Sequence, residues 1–103
     1  MVKEKLTILS VCGSGLVSST MIAQKVKQAL VPLNAVVDVI GLLPTSVDNY
    51  IQNNPVDFIV TTSPIPGEVH VPIINAVALL TGFNENAVLD EIIQMAQKIL
   101  SEE

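Results

Sequence analysis

Leu6-Thr7-Ile8-Leu9-Ser10-Val11-Cys12-Gly13-Ser14-Gly15 holds two kinds of local sequence side by side. Its first part is a short apolar run with β-branched residues that ends at a glycine, which predicts a strand over 6–11. Beyond the glycines, Val17, Met21, Ile22, Val26, Ala29 and Leu30 recur at helical spacing. That predicts a helix over 17–31, stopped by Pro32. A strand, a Gly-rich turn and a helix in immediate succession are the opening unit of an α/β domain.

The remaining segments continue the alternation. A second strand is expected over 36–40 and a third over 56–61. Between them Thr45 or Ser46 can cap a short helix to Gln52, with Val47, Tyr50 and Ile51 on its inner face. A fourth strand is expected over 69–74; Pro72 inside it cannot donate to a ladder and places it at a sheet edge. Asn84 can cap a final helix, with Glu85 in its first turn. Val88, Leu89, Ile92, Ala96 and Ile99 form its apolar stripe, and Lys98 sits near its negative end. The expected fold is α/β and Rossmann-like: a four-stranded parallel sheet in the order 2-1-3-4, with helices on both faces.

The chain has 103 residues, half of them apolar and 3% aromatic, so the core must be built from aliphatic side chains. One domain over 1–103 is expected, with 101–103 frayed. Mean hydropathy is high at +0.57, yet no apolar run approaches the ~18 residues that span a bilayer. Asp38 and Pro44 interrupt the most apolar stretch. A soluble cytoplasmic domain without membrane insertion is the expectation. The net charge is −5, with five Lys and no Arg, which disfavours a nucleic-acid partner. A single Cys and a single His cannot form an internal disulfide or an ordinary zinc site, so neither metal nor cofactor is expected.

Ligands of open α/β sheets bind at the carboxyl ends of the strands. Cys12 stands at the end of the first strand and just ahead of a helix. Glycines at 13 and 15 permit close backbone approach. The backbone N–H groups of Gly13, Ser14, Gly15, Leu16, Val17, Ser18 and Ser19 can then converge as an anion nest backed by the helix dipole. Ser14, Ser18, Ser19 and Thr20 add hydroxyls. Cysteines at helix N-termini ionise readily, so nucleophile and cradle fall in one loop.

Three chemistries fit such a nest. Cys-x5-Arg phosphatases need an Arg where this chain has Ser18, and their bidentate clamp is missing. Nucleotide binding is compatible with the G-x-G-x-x-S pattern at 13–18, but the second βαβαβ half is absent. A phosphoryl carrier needs a nucleophile and a cradle without a strong clamp. A thiol redox role lacks a second Cys.

Val11-Cys12-Gly13-Ser14-Gly15-Leu16-Val17-Ser18-Ser19-Thr20-Met21 resembles the phosphorylation loop of IIB components of the sugar phosphotransferase system. The resemblance covers nearly the whole chain. Thr61-Thr62-Ser63-Pro64 and Leu80-Thr81-Gly82 resemble elements of the galactitol-type group. Lactose/cellobiose-type IIB domains share the fold and the Cys position, but commonly have Met-Ser where this chain has Leu16-Val17. The fold thereby implied is also that of low-molecular-weight phosphatases. The resemblance implies that Cys12 takes a phosphoryl group from a IIA phosphohistidine. It would then pass that group to a sugar or polyol held by a membrane IIC transporter.

Thr61, Thr62 and Ser63 follow the third strand and are candidates for a wall of the site. His70, at the start of the Pro-containing segment, reads as a solvated edge residue rather than a phosphoacceptor, and Asp38 as structural or exposed.

Overall fold

The central strand, β1 (Lys5–Val11), is buried at all but two of its residues. A near-continuous apolar run suits a strand covered on both faces. In the computed structural model, which describes residues 5–13, 16–33, 35–67 and 69–101 and only the backbone of 16–18, β1 pairs in parallel with β2 (Val36–Leu42) and β3 (Phe58–Thr61). β4 (Ile73–Asn75) pairs in parallel with β3 at the far edge. The sheet order is β2-β1-β3-β4, as the alternation of elements predicts.

Side-chain alternation divides the core. Leu6, Ile8, Cys12, Phe58, Val60 and Ile74 belong to one apolar cluster. It is covered by α1 (Leu16–Ala29), α3 (Val77–Thr81) and α4 (Glu85–Ser101), through residues such as Ile22, Val26, Leu79, Ile92 and Ala96. Leu9, Val11 and Ile59 form the second cluster, with Val47, Tyr50 and Ile51 of α2 (Val47–Asn53). Helices therefore lie on both faces, three against one. Ile65, Val69 and Val71 complete the thinner side. Right-handed crossovers account for this split, because the chain moves outward from β1 to β2 and then back across to β3.

Several boundaries differ from the sequence expectation. The fourth strand is not 69–74: it begins only after Pro72, whose carbonyl accepts the Ile59 N–H at 2.9 Å. Val69 and Val71 instead pack on the α2 side. The third strand starts at Phe58 because Asp57 closes that end differently. Its side chain accepts the Thr7 N–H at 2.7 Å, while its own N–H donates to Thr7 O at 2.8 Å. α1 ends at Ala29, ahead of a 3-10 turn at Val31–Leu33 that contains Pro32. The Ser46 cap is not made: a 3-10 turn, Pro44–Ser46, leads into α2, and Ser46 is itself helical rather than extended as a capping residue requires. Asn84 precedes α4 in the left-handed region that Asn tolerates, and its carbonyl accepts the Ala87 N–H at 3.2 Å. Glu85 and Lys98 stand in the first and last turns of α4, as expected. The end of the tail, residues 102–103, lies outside the described residues.

The short helix α3 was absent from the expectation. Asn75 Oδ1 accepts the Val77 N–H at 2.9 Å at its start. Gly82 ends it in the left-handed conformation, φ 81°, with its N–H on Ala78 O at 2.8 Å. Lys25 of α1 holds this corner together, donating to Leu79 O at 3.0 Å and pairing with Glu85 at the start of α4.

α1 lies unusually close to the sheet at one place. Ser10 Oγ donates to Ser19 O at 2.7 Å. Gly41, the residue beside Ser10 in β2, has no side chain there; a Cβ would stand 2.8 Å from Ser19 Oγ.

Phe58 and Phe83 should separate core from surface. Phe58 is fully buried and Phe83 is 77% exposed. Urea denaturation should show Phe58→Ala losing about 3–5 kcal/mol. Phe83→Ala should change stability by less than about 0.5 kcal/mol. Equal losses would mean that Phe58 does not anchor the α4 face.

Candidate functional site

The parallel sheet brings the ends of β1, β2, β3 and β4 to one edge, and Cys12 stands in its middle. The Cys12 N–H points toward Leu42 O at 3.4 Å, which continues the β1–β2 ladder by one residue. The residue is fully buried and belongs to the cluster beneath α1.

The turn after β3 is tied directly to this loop. The Thr62 N–H donates to Val11 O at 3.0 Å. The Gly13 N–H donates to Ser63 Oγ at 3.0 Å. Thr61 Oγ1 donates to Ser63 O at 2.7 Å and accepts the Ser63 N–H at 3.1 Å, which fixes the turn from within. A Cβ on Gly13 would lie 2.7 Å from Ser63 Oγ, so glycine is needed here for close approach. Thr61, Thr62 and Ser63 thus adjoin the Cys12 loop, as the sequence position after β3 suggests.

The expected cradle spans residues 13 to 19. α1 begins at Leu16, so the N–H groups without intrahelical acceptors end at residue 18. Ser19 is buried, its carbonyl holds Ser10, and its hydroxyl lies against Gly41. The Gly13 N–H is engaged by Ser63 rather than directed at an open nest. Ser14 and Gly15 lie outside the described residues, as do the side chains of Leu16, Val17 and Ser18. The backbone of 16–18 forms the first turn of α1, whose dipole presents its positive end to this edge.

Beside the turn is an open cleft of about 360 Å³, lined by Thr61, Thr62, Ser63, Pro64, Ile73 and Asn75. Asn75 was missed in the sequence reading. Its signal was available: it is the polar residue at the carboxyl end of an edge strand, the position where open sheets bind ligands.

His70 is exposed and lines a different cleft, with Asp48, Ile51, Gln52 and Val71. That cleft is on the α2 face, whereas Cys12 belongs to the opposite core cluster. Asp38 lies within β2 and pairs with Lys5 at 3.2 Å, both side chains being half exposed or more. It is thus not at the strand end where a ribose-binding carboxylate belongs.

The family model described as PTS system, Lactose/Cellobiose specific IIB subunit, matches residues 7–91. This chain belongs to the PTS IIB family. A relative in Escherichia coli (strain K12), whose name marks it as a candidate phosphotransferase enzyme IIB component, SgcB, is 32% identical over 90 residues. The alignment covers 82% of this chain and 90% of the relative. A IIB component serves phosphotransfer in a sugar phosphotransferase system, between IIA and IIC components. The matching description names lactose and cellobiose, so it lends no support to the galactitol-type grouping suggested by Thr61-Thr62-Ser63-Pro64 and Leu80-Thr81-Gly82, and it runs against the use of Leu16-Val17 to set the chain apart from the lactose/cellobiose branch.

The Gly13–Ser63 contact gives a direct structural test of this IIB loop. Gly13→Ala should destabilise by about 1–3 kcal/mol through overpacking. Ser63→Ala should cost about 0.5–1.5 kcal/mol for the lost hydrogen bond. The double variant should cost less than the two together, because removing Oγ relieves the clash. Strict additivity in urea titrations would show that the two residues do not meet.

Proposed function

We propose that Cys12 is the phosphoryl-carrying residue of this IIB component. It accepts a phosphoryl group from a IIA phosphohistidine and passes it to a sugar or polyol held by a IIC transporter. The observation that carries this reading is the position of the only cysteine. It ends the central strand, beside Gly13 and in front of the positive end of α1. In the first transfer the Cys12 sulfur attacks phosphorus, an S–P bond forms, and the N–P bond breaks with its electron pair returning to imidazole. In the second a substrate hydroxyl attacks, an O–P bond forms, and the thiolate leaves. The hydroxyl proton goes to a base outside this loop, since residues 12–24 contain no His, Lys or carboxylate. Positioning and hydrogen bonding do the work in such transfers. The absence of Arg from the whole chain suits a carrier, which must release what it binds.

The place of action is the cytoplasmic side, where IIA and IIB components meet. No described helix is long and apolar enough to cross a membrane. The finer substrate assignment is to the galactitol type. It rests on Thr61-Thr62-Ser63-Pro64 and Leu80-Thr81-Gly82, the latter being the end of α3. Label from phosphorylated chain should pass to galactitol in membranes with a galactitol-type IIC. Faster transfer through a lactose- or cellobiose-type IIC would reverse that assignment.

Cys12→Ser tests the carrier role. The exchange is nearly isosteric, but Cys12 is fully buried in the apolar cluster, so the hydroxyl should lower stability by about 1–3 kcal/mol and leave the chain folded. Relay of labelled phosphate from IIA to substrate should fall by at least about 1,000-fold, since a serine hydroxyl is rarely ionised and no base stands in the loop. Full relay through the variant would refute the assignment.

A further inference from the structure

Ser63 joins the loop that begins at Cys12 to the open cleft beside it. Its Oγ takes the Gly13 N–H at 3.0 Å, and the same residue lines the cleft. The backbone N–H that follows a nucleophile is a ready donor to an anion formed on it. Here that donor is already engaged, and the oxygen that engages it stands where a phosphoryl oxygen would stand. The approach is close, since a Cβ on Gly13 would lie 2.7 Å from the same Oγ.

The turn that carries Ser63 is held independently of this hydroxyl. The Thr62 N–H donates to Val11 O at 3.0 Å. Thr61 Oγ1 accepts the Ser63 N–H at 3.1 Å and donates to Ser63 O at 2.7 Å. The backbone is thereby fixed on both sides of the residue, and the side chain keeps one torsion. A serine oxygen moves by roughly 2.3 Å between one staggered position and the next. The cleft gives it room to do so. The hydroxyl accepts from Gly13, and among the described residues its own proton has no acceptor.

We propose that Ser63 is a phosphoryl-binding residue that exchanges roles during transfer. It accepts the Gly13 N–H while Cys12 is bare, and it turns to donate to the phosphoryl group once Cys12 carries one. The inference rests on the phosphocysteine reading and adds to it a side chain from outside the Cys12 loop. An oxygen of the arriving group takes the Gly13 N–H in place of Oγ. One rotamer away, the hydroxyl is then close to the spacing of about 2.5–2.7 Å at which O–H donates to an anion. The Gly13 N–H keeps an acceptor in both states, as a donor in a closed site requires. Charged side chains do not supply this contact. Segments 12–24 and 58–67 contain no Asp, Glu or Lys, and Asp48 meets the turn at Gly67, beyond Ser63. A neutral hydroxyl also suits release. When the phosphoryl group leaves, Ser63 recovers its bond to Gly13, which offsets part of the bond lost.

The test compares wild type, Ser63→Ala and Ser63→Thr, using the phosphorylated IIA protein that labels the wild-type chain. The equilibrium constant for phosphoryl exchange between IIA and each chain is measured with labelled phosphate. Phosphorus NMR follows the titration of the bound phosphoryl group, and thermal unfolding is recorded for each chain. Ser63→Ala should lower the equilibrium constant about tenfold, because it loses a bond to a charged group and gains back only the neutral one that no longer has to break. Its phosphoryl group should titrate at higher pH than in wild type, since a donor to the charged form is gone. Ser63→Thr keeps the hydroxyl and should restore both. An unchanged equilibrium and titration in Ser63→Ala, with Cys12 still labelled, would make Ser63 a structural clip; that result overturns the proposal and leaves the carrier role standing. A higher equilibrium constant in Ser63→Ala would also overturn it, since Ser63 would then only compete with the anion. So would Ser63→Thr falling as far as Ser63→Ala while unfolding like wild type. Label that persists in Cys12→Ser would overturn both readings.

Discussion

α1 rests on β1 and β2 through a seam of small residues, and the geometry of the Cys12 edge follows from how close that seam is. Ser10 Oγ reaches Ser19 O at 2.7 Å, and Gly41 leaves the space that the Ser19 side chain occupies. A larger residue at 41 would lift the helix off the sheet near its N-terminal end. The first turn of α1 would then move away from the end of β1, and Cys12 with it. The buried hydroxyl of Ser10 also has its partner through this seam, so the close approach satisfies a polar group as well as filling space. The opposite wall is held in the same manner. Ser63 takes the Gly13 N–H because Gly13 has no Cβ to prevent it. Two glycines and three serines thus fix the sulfur between a helix and a turn.

That arrangement bears on phosphoryl transfer through what surrounds the thiol. Cys12 is covered, and the Gly13 N–H is already hydrogen-bonded. On the proposed carrier role, an incoming phosphoryl group would have to share the Gly13 N–H with Ser63 or displace it. The hydroxyl of Ser63 can turn to donate as it yields. A weak, uncharged site of this kind holds phosphate less tightly than an Arg clamp would. For a carrier this is an advantage, since tight binding of the intermediate would slow the second transfer as much as it helped the first.

Much of this was legible in the sequence. The apolar run into Cys12-Gly13 identified the central strand, and the 3.6-residue spacing after it identified α1. β4 does lie at the edge, but Pro72 precedes it and meets β3 only through its carbonyl, so the proline inside the strand on which the expectation rested is not there. The length of β4 was misjudged for a related reason. Val69 and Val71 look like strand residues, but their apolar side chains are used against the α2 face outside the ladder. α3 was missed because its five residues, Val77–Thr81, are too few for periodicity to show. Its caps were the available signal. The place of Ser19 could not be read at all: whether a hydroxyl near a helix start faces an anion or the sheet depends on Gly41, far away in sequence. The same holds for the Gly13–Ser63 contact, which joins residues fifty positions apart.

The central claim is that phosphorus bonds to the sulfur of Cys12, and phosphorus NMR of the chain after phosphorylation by IIA tests it most directly. A phosphorothiolate, a phosphoramidate on imidazole and an ordinary phosphate ester resonate in separate regions. The account predicts one new signal in the phosphorothiolate region, absent from Cys12→Ser. A signal in the phosphoramidate region, lost on substitution of His70, would contradict it.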